Sequence, residues 1–178
     1  FIAFVFAMMN TSVANVVFII STQTMFLAIF GYFYLKEKVS IIGLLSIILA
    51  MMGITVMIGD SISGGTLFGN LVALTIPISF SILVMIIRKN NNLDLVPAIW
   101  YASISSTLIS FLMASDLSFT NNDILMGFFL GVPQLTFGFV CITIGSRTTK
   151  SVTIGLLMLT ETIFAPLWVW LFLNEIPP

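Results

Sequence analysis

The sequence predicts an all-α fold: a polytopic transmembrane helical bundle built from two inverted repeats. Three observations predict it. The mean hydropathy is +1.18, and the chain is 59% apolar and only 7% charged. A soluble domain carries about 25% charged residues, so this chain cannot cover a water-facing surface and lipid must be its solvent. Apolar runs of the length a bilayer requires recur along the chain, about 20 residues each. A segment near the beginning also returns near the end in the opposite sense.

Taken in order, Phe1–Met9 is too short to span and reads as the end of a helix. Six full candidates follow: Val13–Leu35, Ile41–Ile58, Leu67–Ile87, Leu95–Ala114, Ile124–Gly145 and Ser151–Leu173. Their separators are chemically clear. They are Lys36-Glu37-Lys38, the Gly- and Ser-rich turn from Gly59 to Gly65, Arg88-Lys89 with three asparagines, the stretch from Ser115 to Asp123, and Ser146 to Lys150. The break at Asn10-Thr11-Ser12 holds no charge. It is placed by length: an unbroken helix from Phe1 to Leu35 would be about 52 Å long against a hydrocarbon core of about 30 Å.

If the chain crosses at every candidate, Lys36, Lys38, Arg88, Lys89, Arg147 and Lys150 all fall on one side. These are all six basic residues of the chain. The positive-inside rule makes that side cytoplasmic. Asp60, Asp116, Asp123 and Glu175 fall on the other.

The repeat is read from Thr22-Gln23-Thr24-Met25-Phe26 running on to Leu35-Lys36-Glu37, against Thr160-Glu161-Thr162-Ile163-Phe164 running on to Leu173-Asn174-Glu175. The offset is 138 residues, and five of 16 aligned positions are identical. The same offset sets Asn10–Ser12 against Thr148–Lys150. The charge partition sends the first copy inward and the second outward, which is the topology of an inverted repeat. Many secondary transporters are built this way, with the substrate site near the midplane between the halves.

These residues resemble the EamA-type members of the drug/metabolite transporter superfamily. The resemblance is carried by Ala14-Asn15 through Leu35-Lys36-Glu37, by Gly43 and Gly53, by Leu159 through Trp168, and by Leu173-Asn174-Glu175. It implies a ten-helix protein of two five-helix repeats, of which about six and a half helices are here. Residues 1–58 would be the C-terminal part of the first repeat (the tail of helix 3, then helices 4 and 5). Residues 59–66 would be an external linker, and 67–178 the second repeat without its last helix. It further implies an integral protein of a bacterial cytoplasmic (inner) membrane that moves small organic solutes, efflux being one direction. Family members often carry Pro where this chain has Ala28, whereas the matched position is Pro166. A kink in the first copy is therefore in question.

The polar residues at depth are the candidate site. Glu161 is the one acid well inside a span, where a charge costs about 2.5–3.5 kcal/mol on insertion scales. Two readings stay open: a proton-coupling or substrate-binding carboxyl, or a neutral acid hydrogen-bonded to Thr160 or Thr162. Gln23 holds the matched place, flanked by Thr22, with Asn15 two turns earlier. A polar cavity wall and plain interhelical hydrogen bonding are their two roles. Gln134 follows Pro133, in a helix that either lines a site or bears an ordinary kink. Pro77 with Ser79 and Ser81 reads the same way. Trp168 is a candidate wall for a flat or cationic solute, although Trp and Tyr also anchor at interfaces. Gly127 and Gly131 have the spacing of a close-packing surface, and Glu37 reads as a solvated helix end.

The chain has no histidine and one cysteine, Cys141. This excludes disulfide frameworks, His/Cys zinc clusters and triad catalysis within it. No basic patch suits nucleic acid. No metal or cofactor is expected and no enzymatic activity. The expected partners are a small-molecule solute, the lipid bilayer, and a proton or counter-solute, with a homodimer among the possible assemblies. A membrane scaffold or an intramembrane enzyme are the competing classes.

Overall fold

In the computed structural model, residues 2–58, 66–114, 118 and 120–173 are described, without the side chains of 14, 54, 57, 58, 162, 163 and 165–173. The 59–65 linker, Asp60, Asp116 and Glu175 lie outside the described residues, and so do the side chains of Thr162, Pro166, Trp168 and Trp170.

All regular structure among the described residues is helical. The order is α1 (Ile2–Asn10), α2 (Val13–Ser21), α3 (Gln23–Leu35), α4 (Ile41–Ile58), α5 (Leu67–Lys89), α6 (Val96–Met113), α7 (Asn121–Phe129), a π-helical segment (Leu130–Thr136), α8 (Phe137–Gly145) and α9 (Ser151–Leu173). Asn15–Leu35, Leu67–Lys89, Val96–Met113 and Asn121–Gly145 are long and apolar enough to cross a membrane. α4 and α9 occupy the other two expected spans, Ile41–Ile58 and Ser151–Leu173, with the same bounds.

The uncharged break is present. α1 ends at Asn10, and the Ser12 side chain caps α2 by accepting from the Asn15 amide. A second break splits the expected span Val13–Leu35 at Thr22. The Ser21 hydroxyl donates to the carbonyls of Val17 and Phe18, and Thr22 donates to Ile19. Such back-bonding bends helices. The questioned kink is thus set by a hydroxyl pair at Ser21-Thr22, and the helix runs unbroken through Ala28. In α5 the helix continues through buried Pro77, and the Ser81 hydroxyl donates to the Pro77 carbonyl.

The chain packs as two compact units, residues 3–86 with 149–178, and residues 87–148 with residues 1 and 2. In the first, α5 runs alongside α2–α3 in the same direction. Ala73 packs with Val16 near one end, and Val84 and Met85 pack with Leu27 near the other. α9 runs against α3: Thr24 meets Gly155 and Gly31 meets Ser151. α4 follows α9, with Gly43 beside Val152 and Ala50 packed with Leu159.

In the second unit, Asp94 joins two turns. Its carboxylate accepts from the Val96 amide at the start of α6 and pairs with Arg147 at 2.9 Å. Arg88 donates to the Ser146 carbonyl. α7 opens with a capping box between Thr120 and Asp123. The π-helical segment contains Pro133, and the Thr136 hydroxyl donates five residues back to the Gly131 carbonyl. A missing proline N–H is one of the known causes of such a local widening.

Candidate functional site

The polar side chains of the first unit gather at three levels. At the Asn10 end, where α1 breaks, the Thr11 hydroxyl donates to Asn70 Oδ1 at 2.7 Å. The Asn15 amide donates to Thr11 Oγ1 at 3.2 Å and to Asn70 Oδ1 at 3.4 Å. Thr66 donates to the Asn10 carbonyl, and Gly69 lies so close to Asn10 that an added Cβ would sit 2.7 Å from its carbonyl carbon and oxygen. Asn15 is only 6% exposed, and its Oδ1 has no hydrogen-bond partner. A buried acceptor left unpaired costs about 1–3 kcal/mol, which makes this node a place where an extra donor would be welcome.

The middle level is the crossing of α3 and α9. Thr24, fully buried, donates to the Gly155 carbonyl at 3.1 Å, and an added Cβ on Gly155 would sit 2.9 Å from Thr24 Cα. Backbone approach of this kind needs glycine on one side. Gln23, half-buried, starts α3 immediately beyond the Thr22 break.

Glu161 lies in α9 with its side chain exposed, and no hydrogen bond to it is present among the described residues. The expected bond to Thr160 is not formed, because the Thr160 hydroxyl turns back to the Leu157 carbonyl. Thr22 is likewise spent on its own helix. No hydrogen bond joins Gln23 to Glu161 among the described residues.

The third level is the Lys36 end. Lys36 takes a left-handed conformation (φ 53°), and the Glu37 amide bonds back to the Gly31 carbonyl. This turn aims the Glu37 carboxylate at the first amide of α9, whose Ser151 N–H donates to Oε2 at 2.9 Å. The reading of Glu37 as a merely solvated end is corrected. It caps a helix 114 residues away, where the N-terminal dipole favours a negative charge.

In the second unit Gln134 is exposed within the π-helical segment. Among the described residues, no atom lies within 4 Å of a Cβ built on Gly127 or Gly131, so their spacing is not used for packing among these residues. Sequence reasoning passed over Asn70 and Asp94, and read Glu37 only as a helix end. Asn70 had a usable signal as the only amide in its span. Glu37 and Asp94 had none, since their partners are 114 and 53 residues away.

A search of curated proteins and a search of solved structures each find no match. A family model does match, the EamA-like transporter family, over residues 67–178. With that match covering more than half of the chain, added to apolar helices of membrane-crossing length, this all-helical integral membrane protein belongs to the EamA-like transporter family.

Proposed function

We propose that the chain forms part of a secondary transporter that moves small organic solutes by alternating access, with two inverted repeats rocking about a central polar cavity. The observation that carries this reading is the antiparallel crossing of α3 and α9, the two helices whose sequences match at an offset of 138. That offset exchanges Ser21 with Leu159. The contacts Thr24–Gly155 and Val17–Leu159 fall on either side of this point. Related helices that cross near their matched positions are what a two-fold axis in the membrane plane requires. The family match over 67–178 also coincides with the second repeat expected from sequence.

Within this reading Glu161 is the coupling group and Gln23 its non-titrating counterpart, with Asn15, Thr22, Thr160, Gln134 and Trp168 as further cavity candidates. An acid exposed on a helix of this hydropathy needs water or a polar neighbour. A water-filled cavity supplies it and gives the proton a path. In this reading the basic turns lie on the cytoplasmic side of a bacterial inner membrane, as the positive-inside rule favours, and transport is coupled to a proton or a counter-solute.

Two measurements test this. Solute flux by the reconstituted protein should depend on pH, and Glu161→Gln should flatten that dependence. An unchanged flux and pH profile would remove the coupling role. Accessibility labelling should place the Lys36 and Arg147 turns on the same side of the membrane, and opposite sides would end the inverted-repeat reading.

A further inference from the structure

Beside the Glu37 cap, a crevice of about 300 Å³ opens between the start of α4 and the start of α9. Lys38, Val39, Ser40 and Lys150 stand at the helix starts, Ile42, Gly43, Val152 and Leu156 give apolar walls, and Ser46 lies furthest along α4. Lys38 and Lys150 are exposed, and neither has an ion-pair or hydrogen-bond partner among the described residues. Glu37 also lines the crevice, but its carboxylate is turned to the Ser151 amide. Two lysines without partners among the described residues therefore line the crevice.

We propose that this crevice binds an anionic phospholipid from the adjoining leaflet, headgroup phosphate between Lys38 and Lys150, and one acyl chain along Ile42 and Leu156. Charge complementarity selects the headgroup. Basic pockets between helices at the membrane edge attract anionic lipids, and each nearby Lys or Arg strengthens the attraction. The Ser40 hydroxyl already accepts from the Gly43 amide, which leaves its proton to donate to a phosphate oxygen. The first-turn amides of Val152 and Thr153 lie within helix positions that lack intrahelical acceptors.

Length selects a lipid over a free solute. From Ser40 to Ser46 the crevice runs about 9 Å along α4, with Lys38 and Lys150 at one end and Ile42, Val152 and Leu156 along its walls. Lys150 lies about 16 Å of helix from Glu161, so this site is separate from the coupling residue and does not depend on the transport reading.

The test uses the purified protein in detergent, titrated by native mass spectrometry with phosphatidylglycerol, with phosphatidylcholine of the same chains, and with glycerol 3-phosphate. Phosphatidylglycerol should bind about tenfold more tightly than phosphatidylcholine. Lys38→Gln and Lys150→Gln should each weaken it about fivefold, in line with the contribution of one basic residue at an anionic surface. Lys36→Gln, outside the crevice, should leave it unchanged. Ser46→Leu narrows the far end of the crevice without altering charge and should weaken both lipids. Equal binding of the two lipids, or equal effects of Lys36→Gln and Lys38→Gln, would overturn the proposal. So would displacement of the lipid by glycerol 3-phosphate at matching concentration, which would make the ligand a soluble phosphate.

Discussion

Both packing units hold helices long and apolar enough to cross a membrane, yet among the described residues only one of them has buried apolar clusters. In the unit of residues 3–86 and 149–178, Leu27, Val84, Met85 and Ile154 form one buried cluster, and Ala7, Val16 and Ala73 form another. In the unit of residues 87–148, α6 and α7 bury no residue. Hydropathy is not what drives the packing, because lipid tails are as apolar as leucine and offer helices no hydrophobic reason to associate. The separating feature is small or hydroxyl-bearing residues placed where two backbones meet. Thr24 against Gly155, Gly31 against Ser151 and Gly69 against Asn10 are such meetings. Gly127, Gly131 and Gly138 have the same lack of side chain but meet nothing within 4 Å. A glycine in a helix is therefore an opportunity for close packing, and the partner decides whether it is taken.

This contrast is open to direct attack. The largest effect is expected from Gly155→Ala, since its Cβ would lie 2.8 Å from Thr24 Cγ2 and 2.9 Å from Thr24 Cα. Overpacking costs about 1–3 kcal/mol, which outweighs the gain of up to about 1 kcal/mol in helix propensity. Thermal or denaturant unfolding of the purified protein should show net destabilisation, and Gly69→Ala, facing backbone, should behave alike. Next comes Glu37→Ala, which removes the cap of α9 and should cost about 0.5–2 kcal/mol. Glu37→Gln keeps an acceptor and should lose only the charge–dipole share, about 0.3–1 kcal/mol. A larger loss in Gln than in Ala would contradict the cap. The smallest effect belongs to Gly127→Ala. With no neighbour to meet, it should be neutral or stabilising by up to about 1 kcal/mol. Destabilisation there would show that the open face is packed against another helix in the membrane.

The candidate site divides along the same line. Asn15 stands at a node that joins α2 to α5, with one bond across to Asn70 and one back to Thr11, and one buried acceptor is left over. Thr22 and Thr160 are both back-bonded to their own helices, which shapes the backbone and removes them as free donors. Thr24, equally visible in the repeat, turned out to be the residue that ties the two matched helices together. Residue type announced all of these as polar groups in lipid. Whether a hydroxyl bends its own helix or bonds to another depends on what lies within about 3 Å of it.

Composition and apolar run length alone settled that this is a helical membrane protein and roughly where its apolar spans lie. The bounds of α4 and α9 were legible to the residue, because charged and glycine-rich breaks cannot sit in hydrocarbon. The family, too, was visible in short motifs and is now shown by a match over 67–178. Tertiary structure decided the rest: the partner of each glycine and the reach of Glu37 to Ser151. These depend on which surfaces meet between segments far apart in the chain. A one-dimensional pattern carries the period of a helix and the polarity of its faces, but not the identity of the neighbour that a face will touch.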